Sequence, residues 1–163
     1  PNHYLNMVNG EKRRYWPNKD IEPSCVSESI IEISIILKGI LESASKRFKL
    51  GFAITSGLDS RLFMSASRNI KDRLYYFTHT TNEINYDHPD IKIPSKMMSE
   101  IGIKHEIVNF KETVDYDFLE YFRRNVTAGR KNRAQFAFTI YDHLIRTETE
   151  YVVMNGLDRK SVV

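Results

Sequence analysis

Apolar residues recur every three or four positions between Val26 and Phe48: Val26, Ile30, Ile33, Leu37, Ile40, Leu41, Ala44 and Phe48. That spacing predicts one long helix, capped by Ser24 or Ser27, whose broad apolar face belongs to the core. The period then changes. Phe52, Ala53 and Ile54 form a short continuous apolar run of the kind a buried parallel strand presents. Thr55-Ser56-Gly57 breaks that run, and Asp59 and Ser60 are N-cap residue types for an amphipathic segment from Arg61 to Ser67.

The alternation continues downstream. Arg73 to His79 is an aromatic-rich strand pattern. His88-Pro89-Asp90 opens a helix with Met97, Met98 and Ile101 on its apolar side and Gly102 as its C-cap. Pro94 lies inside that segment and is expected to delay or kink its start. His105 to Phe110 reads as the next strand, and Asp115 caps a helix carrying Phe118, Leu119, Phe122 and Val126. A basic loop spans Arg123-Arg124 and Gly129 to Arg133. A last helix, Gln135 to Arg146, is followed by the strand Glu150 to Met154, which Asn155-Gly156 ends. Strand and helix in turn predict an α/β fold: a parallel twisted sheet of strands near 51–55, 73–79, 105–110 and 151–155, with helices on both faces. Ahead of it, His3 to Val8 and Lys12 to Trp16 flank Asn9-Gly10 and predict an N-terminal β-hairpin with a two-residue turn. An isolated hairpin is marginal in water, so this one is expected to pack on something.

A chain of 163 residues is about one domain long. Its net charge of +3 is spread along the sequence, which argues against a nucleic-acid-binding face. The basic stretch Arg123 to Arg133 reads as a solvated helix end and loop. The most apolar run, Ile30 to Leu37, is too short and too polar to span a bilayer, so no membrane is expected. The single cysteine, Cys25, cannot form an internal disulfide; its segment reads as a helix face, giving a buried or inert thiol and a reducing, cytoplasmic compartment. The five histidines show no ligand spacing such as H-E-x-x-H, so zinc is not expected. The Asn125-Val126-Thr127 sequon is read as chance. The chain begins with Pro1 and is expected to be a piece of something longer.

The chemistry concentrates at the junction after Ile54. Strand, hydroxyl-bearing turn and helix N-terminus together collect backbone N–H groups and the positive end of a helix dipole, which suits a phosphate. Gly57 lets the backbone approach an anion, and the Thr55, Ser56 and Ser60 hydroxyls are donors. Asp59 would repel phosphate unless a cation sits between them. That charge pattern points to a Mg²⁺-nucleotide rather than bare phosphate. The lysine and spacing of a Walker A loop are absent.

Thr55-Ser-Gly-Leu-Asp-Ser60 resembles the pyrophosphate-binding S-G-G-x-D-S loop of the ATP pyrophosphatases (the PP-loop superfamily), and most closely the synthetase domain of asparagine synthetases. Gly57, Asp59 and Ser60 match; Thr55 stands where the family has Ser, and Ser56 where it has the first Gly. Further matches follow in order: Pro1-Asn-His-Tyr-Leu5 with Arg14-Tyr-Trp-Pro17, Phe77-Thr78-His79, Asp87-His-Pro-Asp90, Gly102-Ile-Lys-His105 and Asn155-Gly156. They extend from Pro1 to Gly156. The family's following acidic segment and catalytic lysine have no counterpart in Leu157 to Val163, and Asp158 is not assigned to that role.

The resemblance implies an adenine nucleotide alpha-hydrolase-like fold. Residues 1–23 would be the hairpin and linker from an absent N-terminal glutaminase domain, 24–156 a truncated ATP-binding synthetase domain, and 157–163 a tail of unclear origin. It implies a ligase that activates a carboxylate substrate, aspartate or a similar acid, with ATP. The carboxylate attacks the α-phosphate, pyrophosphate leaves, and an amine converts the acyl-adenylate to an amide. Thr55, Ser56, Gly57 and Ser60 would hold pyrophosphate, and Asp59 would share Mg²⁺. Ile54, His79 and Gly156 would place the adenosine, and catalytic residues are expected beyond the chain end. Two other readings stay open. One is another PP-loop enzyme, such as a tRNA-modifying one, which would favour a dense basic face or a CxxC pair. The other is a nucleotide-binding domain without chemistry.

Overall fold

The computed structural model describes residues 2–125, 133–147 and 149–155. They divide into two compact units, with the boundary between Ile35 and Ile36.

The first unit contains an antiparallel hairpin of β1 (His3–Leu5) and β2 (Lys12–Arg14), with Tyr4 opposite Arg13. Its turn is longer than the two residues expected from Asn9-Gly10. Asn6 and Glu11 close it through an N–H to carbonyl bond of 2.9 Å, leaving Met7 to Gly10 as a four-residue loop. The Val8 N–H donates to Asn6 Oδ1 and the Glu11 N–H to Asn9 Oδ1, and these bonds stabilise the wider turn. Only Gly10 (φ +71°) adopts the left-handed conformation there. Every residue of both strands is exposed.

The helix α1 (Val26–Arg47) crosses the boundary. Cys25, not Ser24 or Ser27, precedes its first turn, its carbonyl accepting the Ser29 N–H at 3.0 Å. Cys25 is exposed, not buried, and hydrogen bonds from Ser27, side chain first, lower its thiol pKa. The assignment of the α1 stripe to the core is largely overturned. Val26, Ile30, Ile33, Ile40 and Phe48 are exposed, Leu37 and Ala44 are half-buried, and only Leu41 is buried. Within the second unit the helix buries only a narrow stripe: Leu41 and Ala44, three residues apart, pack with the core cluster, while Ile40, one helical step from Leu41, lies off that stripe and is exposed.

The second unit is the α/β body. Its four strands are β3 (Lys49–Ala53), β4 (Leu74–His79), β5 (His105–Val108) and β6 (Tyr151–Asn155), ordered β5-β4-β3-β6 and all parallel. The strand preceding the hydroxyl-rich loop is therefore internal, paired on both sides. Between the strands run α2 (Leu58–Ala66), a 3-10 segment (Arg68–Arg73) that no periodicity announced, α3 (Pro89–Glu100), α4 (Tyr116–Asn125) and α5 (Arg133–Ile145).

Strand alternation sends side chains to both faces. On one face Leu50, Phe52, Ile54, Leu74 and Tyr76 pack with Leu41 of α1 and Met98 of α3. The Phe52 ring lies 6.0 Å from Phe63 of α2 and 5.8 Å from Tyr76. On the other face Tyr75 stacks on His143, and His79 meets Phe136 edge-on, both partners on α5. Each fully buried aliphatic or aromatic side chain contributes about 1.5–3 kcal/mol, which makes this two-sided burial the main support of the sheet.

Local signals hold the helix ends in place. Asp115 Oδ1 caps α4 through the Phe118 N–H at 3.0 Å. At the end of α3, Ile103 N–H bonds to the Met98 carbonyl and Gly102 N–H to that of Ser99, with Gly102 left-handed (φ +68°). Pro94 does not delay α3, which starts at Pro89, a favoured first position; Pro94 is buried inside the helix. Among the described residues no helix is long and apolar enough to cross a membrane.

Candidate functional site

β3 ends at Ala53, and the chain turns through Ile54 to Gly57 into α2. Clefts outside the carboxyl ends of parallel strands are where α/β folds place ligands. One of about 710 Å³ opens here. Thr55, Ser56, Gly57, Asp59 and Ser60 line it, together with His79 from the end of β4, Asp90 from α3, and Phe136 and Ile140 from α5.

The helix begins earlier than its composition indicated. Asp59 and Ser60 lie within the first turn of α2, not at its cap; Gly57 takes the cap position and no side chain caps the helix. The first-turn N–H groups of Leu58, Asp59 and Ser60 therefore have no side-chain acceptor, the arrangement that favours an anion at a helix N-terminus. The Asp59 carboxylate is exposed and forms no ion pair among the described residues. It already complements the helix dipole from that turn.

The loop's own donors are differently spent. Thr55 N–H donates to Ser60 Oγ at 3.2 Å, and Gly57 N–H to Thr55 Oγ1 at 3.2 Å. Ser56 N–H donates to Asp90 Oδ1 at 3.0 Å, and the Ser56 hydroxyl donates to the same oxygen. Ser60 is 6 % exposed, and its hydroxyl donates within the loop, to the Thr55 carbonyl at 2.9 Å or that of Gly57 at 3.1 Å. In this conformation the Ser56 and Ser60 hydroxyls both donate within the protein. A short polar loop beside a helix start satisfies its donors internally wherever an acceptor is in reach. The open donors are the N–H groups one turn further on.

Asp90 is held in turn by its own helix. His88 caps α3, its Nδ1 accepting the Asp90 N–H at 3.1 Å, which puts the neutral ring's proton on Nε2. The cleft thus receives two helix N-termini, those of α2 and α3, and two carboxylates, Asp59 and Asp90.

Of the three residues expected around adenosine, His79 reaches the cleft. Burial lowers its pKa, so its ring is neutral near pH 7. Ile54 is fully buried in the core, its N–H bonded to the Phe77 carbonyl and its own carbonyl accepting the Thr78 hydroxyl. Gly156 lies outside the described residues, as do Asp158 and the tail. Asp90, Phe136 and Ile140 were not expected as site residues. Asp90 was legible within Asp87-His-Pro-Asp90, whereas nothing in the α5 pattern announced that Phe136 and Ile140 would close over the loop.

The oxygen donors fit a hard divalent ion arriving with a polyphosphate. Mg²⁺ is commonly held by one or two carboxylates plus phosphate oxygens and water. Among the described residues no group of three or more His, Cys, Asp or Glu gathers to hold a metal without such a ligand. No family model matches the chain, and no curated protein matches it.

Proposed function

We propose that residues 24–156 form a nucleotide-binding synthetase domain of the ATP pyrophosphatase kind, with the adenine nucleotide alpha-hydrolase-like fold. The observation that carries this reading is the position of Thr55-Ser-Gly-Leu-Asp-Ser60. The loop follows the internal strand of an all-parallel sheet and opens, at an uncapped helix start, into a cleft large enough for a nucleotide. The resemblance of the loop to the S-G-G-x-D-S motif supplies the reaction class. A carboxylate, aspartate or a similar acid, would attack the α-phosphate of ATP, releasing pyrophosphate and forming an acyl-adenylate, and an amine would displace AMP to complete an amide.

In this reading the α2 N–H groups bind the pyrophosphate end as charge develops on it, and such preorganised donors are a large catalytic contribution. Mg²⁺ would neutralise that charge, held by Asp59. The neutral His79 ring and Phe136 line the wall available to the base. In this reading the described residues bind and orient the nucleotide.

Calorimetric titration with ATP, with and without Mg²⁺, tests the reading. Asp59→Asn should weaken Mg²⁺-ATP binding and leave metal-free ATP binding unchanged or slightly tighter. Equal loss in both conditions would mean that Asp59 serves only the helix dipole.

A further inference from the structure

The Asp90 carboxylate is bonded to the candidate loop. One of its carboxylate oxygens accepts both the N–H and the hydroxyl of Ser56, the residue at the middle of the loop. Its other oxygen lies 3.7 Å from His88 Nδ1, and the side chain is about one quarter exposed, facing the cleft. The backbone of Asp90 is fixed by the His88 cap and by Pro89 before it, so the carboxylate is tethered to a rigid helix start. No lysine or arginine forms an ion pair with it among the described residues; its neighbours are His88, the Ser56 donors and the positive end of α3.

We infer that Asp90 is a specificity-determining residue: a tethered anion that excludes metal-free phosphates from the loop and admits polyphosphate that arrives with a divalent cation. The inference rests on the phosphate-binding reading of the loop. A free polyanion at the open α2 N–H groups would share the cleft with the Asp90 charge, and like-charge juxtaposition of this kind costs heavily. A divalent cation carried by the polyphosphate, with Asp59 as its ligand, neutralises much of that charge and so relieves the repulsion from Asp90. Asp59, exposed at the mouth, acts on the metal-bound form; Asp90, bonded to the loop, acts on the metal-free form. The two carboxylates therefore have separable signatures.

The test is calorimetric titration of the full chain with inorganic pyrophosphate, with and without Mg²⁺. Asp90→Asn keeps the shape and an acceptor for Ser56 but removes the charge. It should bind metal-free pyrophosphate about tenfold tighter than the wild type, with a smaller change in the Mg²⁺ arm. Asp90→Ser, a second neutral variant, should do the same, and Asp90→Glu should restore the wild-type discrimination. Thermal melting identifies any variant that fails to fold, and the remaining neutral variant then decides. If both arms move together, or neither moves, Asp90 is only a structural tether and the inference falls while the phosphate-binding reading stands. If the wild type binds pyrophosphate in neither arm, both fall.

Discussion

The Ser60 hydroxyl closes the loop onto the strand it leaves: it accepts the Thr55 N–H at 3.2 Å and lies 2.9 Å from the Thr55 carbonyl. Ser60 is buried in the first turn of α2, so this contact sets the angle between strand and helix. Ser60→Ala leaves the Thr55 N–H without its acceptor. The expected cost is about 1–3 kcal/mol of stability, read by chemical denaturation. A loss below about 0.5 kcal/mol would show that solvent replaces the hydroxyl and that the closure is incidental.

Gly57 does not use glycine's conformational freedom: its φ is −63° and its ψ 153°, values open to any residue. An added Cβ would lie 3.2 Å from Thr55 Oγ1, tight but beside a side chain and not backbone. Gly57→Ala should therefore fold with stability within about 1 kcal/mol of wild type. Under the proposed function it should still weaken ATP binding by narrowing the approach to the α2 N-terminus. Full retention of affinity would remove Gly57 from the site.

The two ends of α1 should respond oppositely to truncation. Leu41 is 1 % exposed within the sheet's core cluster, so Leu41→Ala should cost about 2–5 kcal/mol. Ile33 is 53 % exposed, and Ile33→Ser should change stability by about 0.5 kcal/mol or less. Urea denaturation of both variants measures the contrast. Comparable losses would mean that the Ile33 face is covered in solution.

Acid should weaken the fold through its histidines first. Burial holds His79 and His105 below the ordinary histidine range. A ring with a lower pKa in the folded than in the unfolded state binds fewer protons when folded. Stability is therefore complete above about pH 6.5 and falls as the pH drops below it. His105 bonds through Nε2 to Thr78 Oγ1 at 2.8 Å and through Nδ1 to Ser95 Oγ at 3.3 Å. His105→Gln should lower the melting temperature at about pH 7.5 yet reduce its decline toward about pH 5.5. An unchanged decline would assign the proton uptake to other groups. Glu106 and Asp142, whose carboxyls are held low chiefly by hydrogen bonds from Lys104 and Lys111, act in the same direction only below about pH 4.5.

Local pattern carried much of the body of this protein. The apolar run at Phe52–Ile54, the aromatic strand at 74–79 and the Asp115 and Gly102 helix ends are signals between near neighbours, and they survive in the structure with boundaries shifted by one to three residues. Turn chemistry also placed the hydroxyls and Asp59 at a strand–helix junction, because steric and capping preferences act over a few residues.

What the tertiary structure alone decided are matters of long-range contact. The burial of α1 in the second unit depended on which narrow stripe of the helix, Leu41 and Ala44, meets the core cluster, a contact that periodicity does not contain. The loop's donors were assigned by Asp90, 34 residues away in the chain, and the cleft's far wall by Phe136 and Ile140. A hydroxyl or N–H in the sequence declares what it can donate. Which acceptor it meets is settled only when the strands pair and bring the helix starts together.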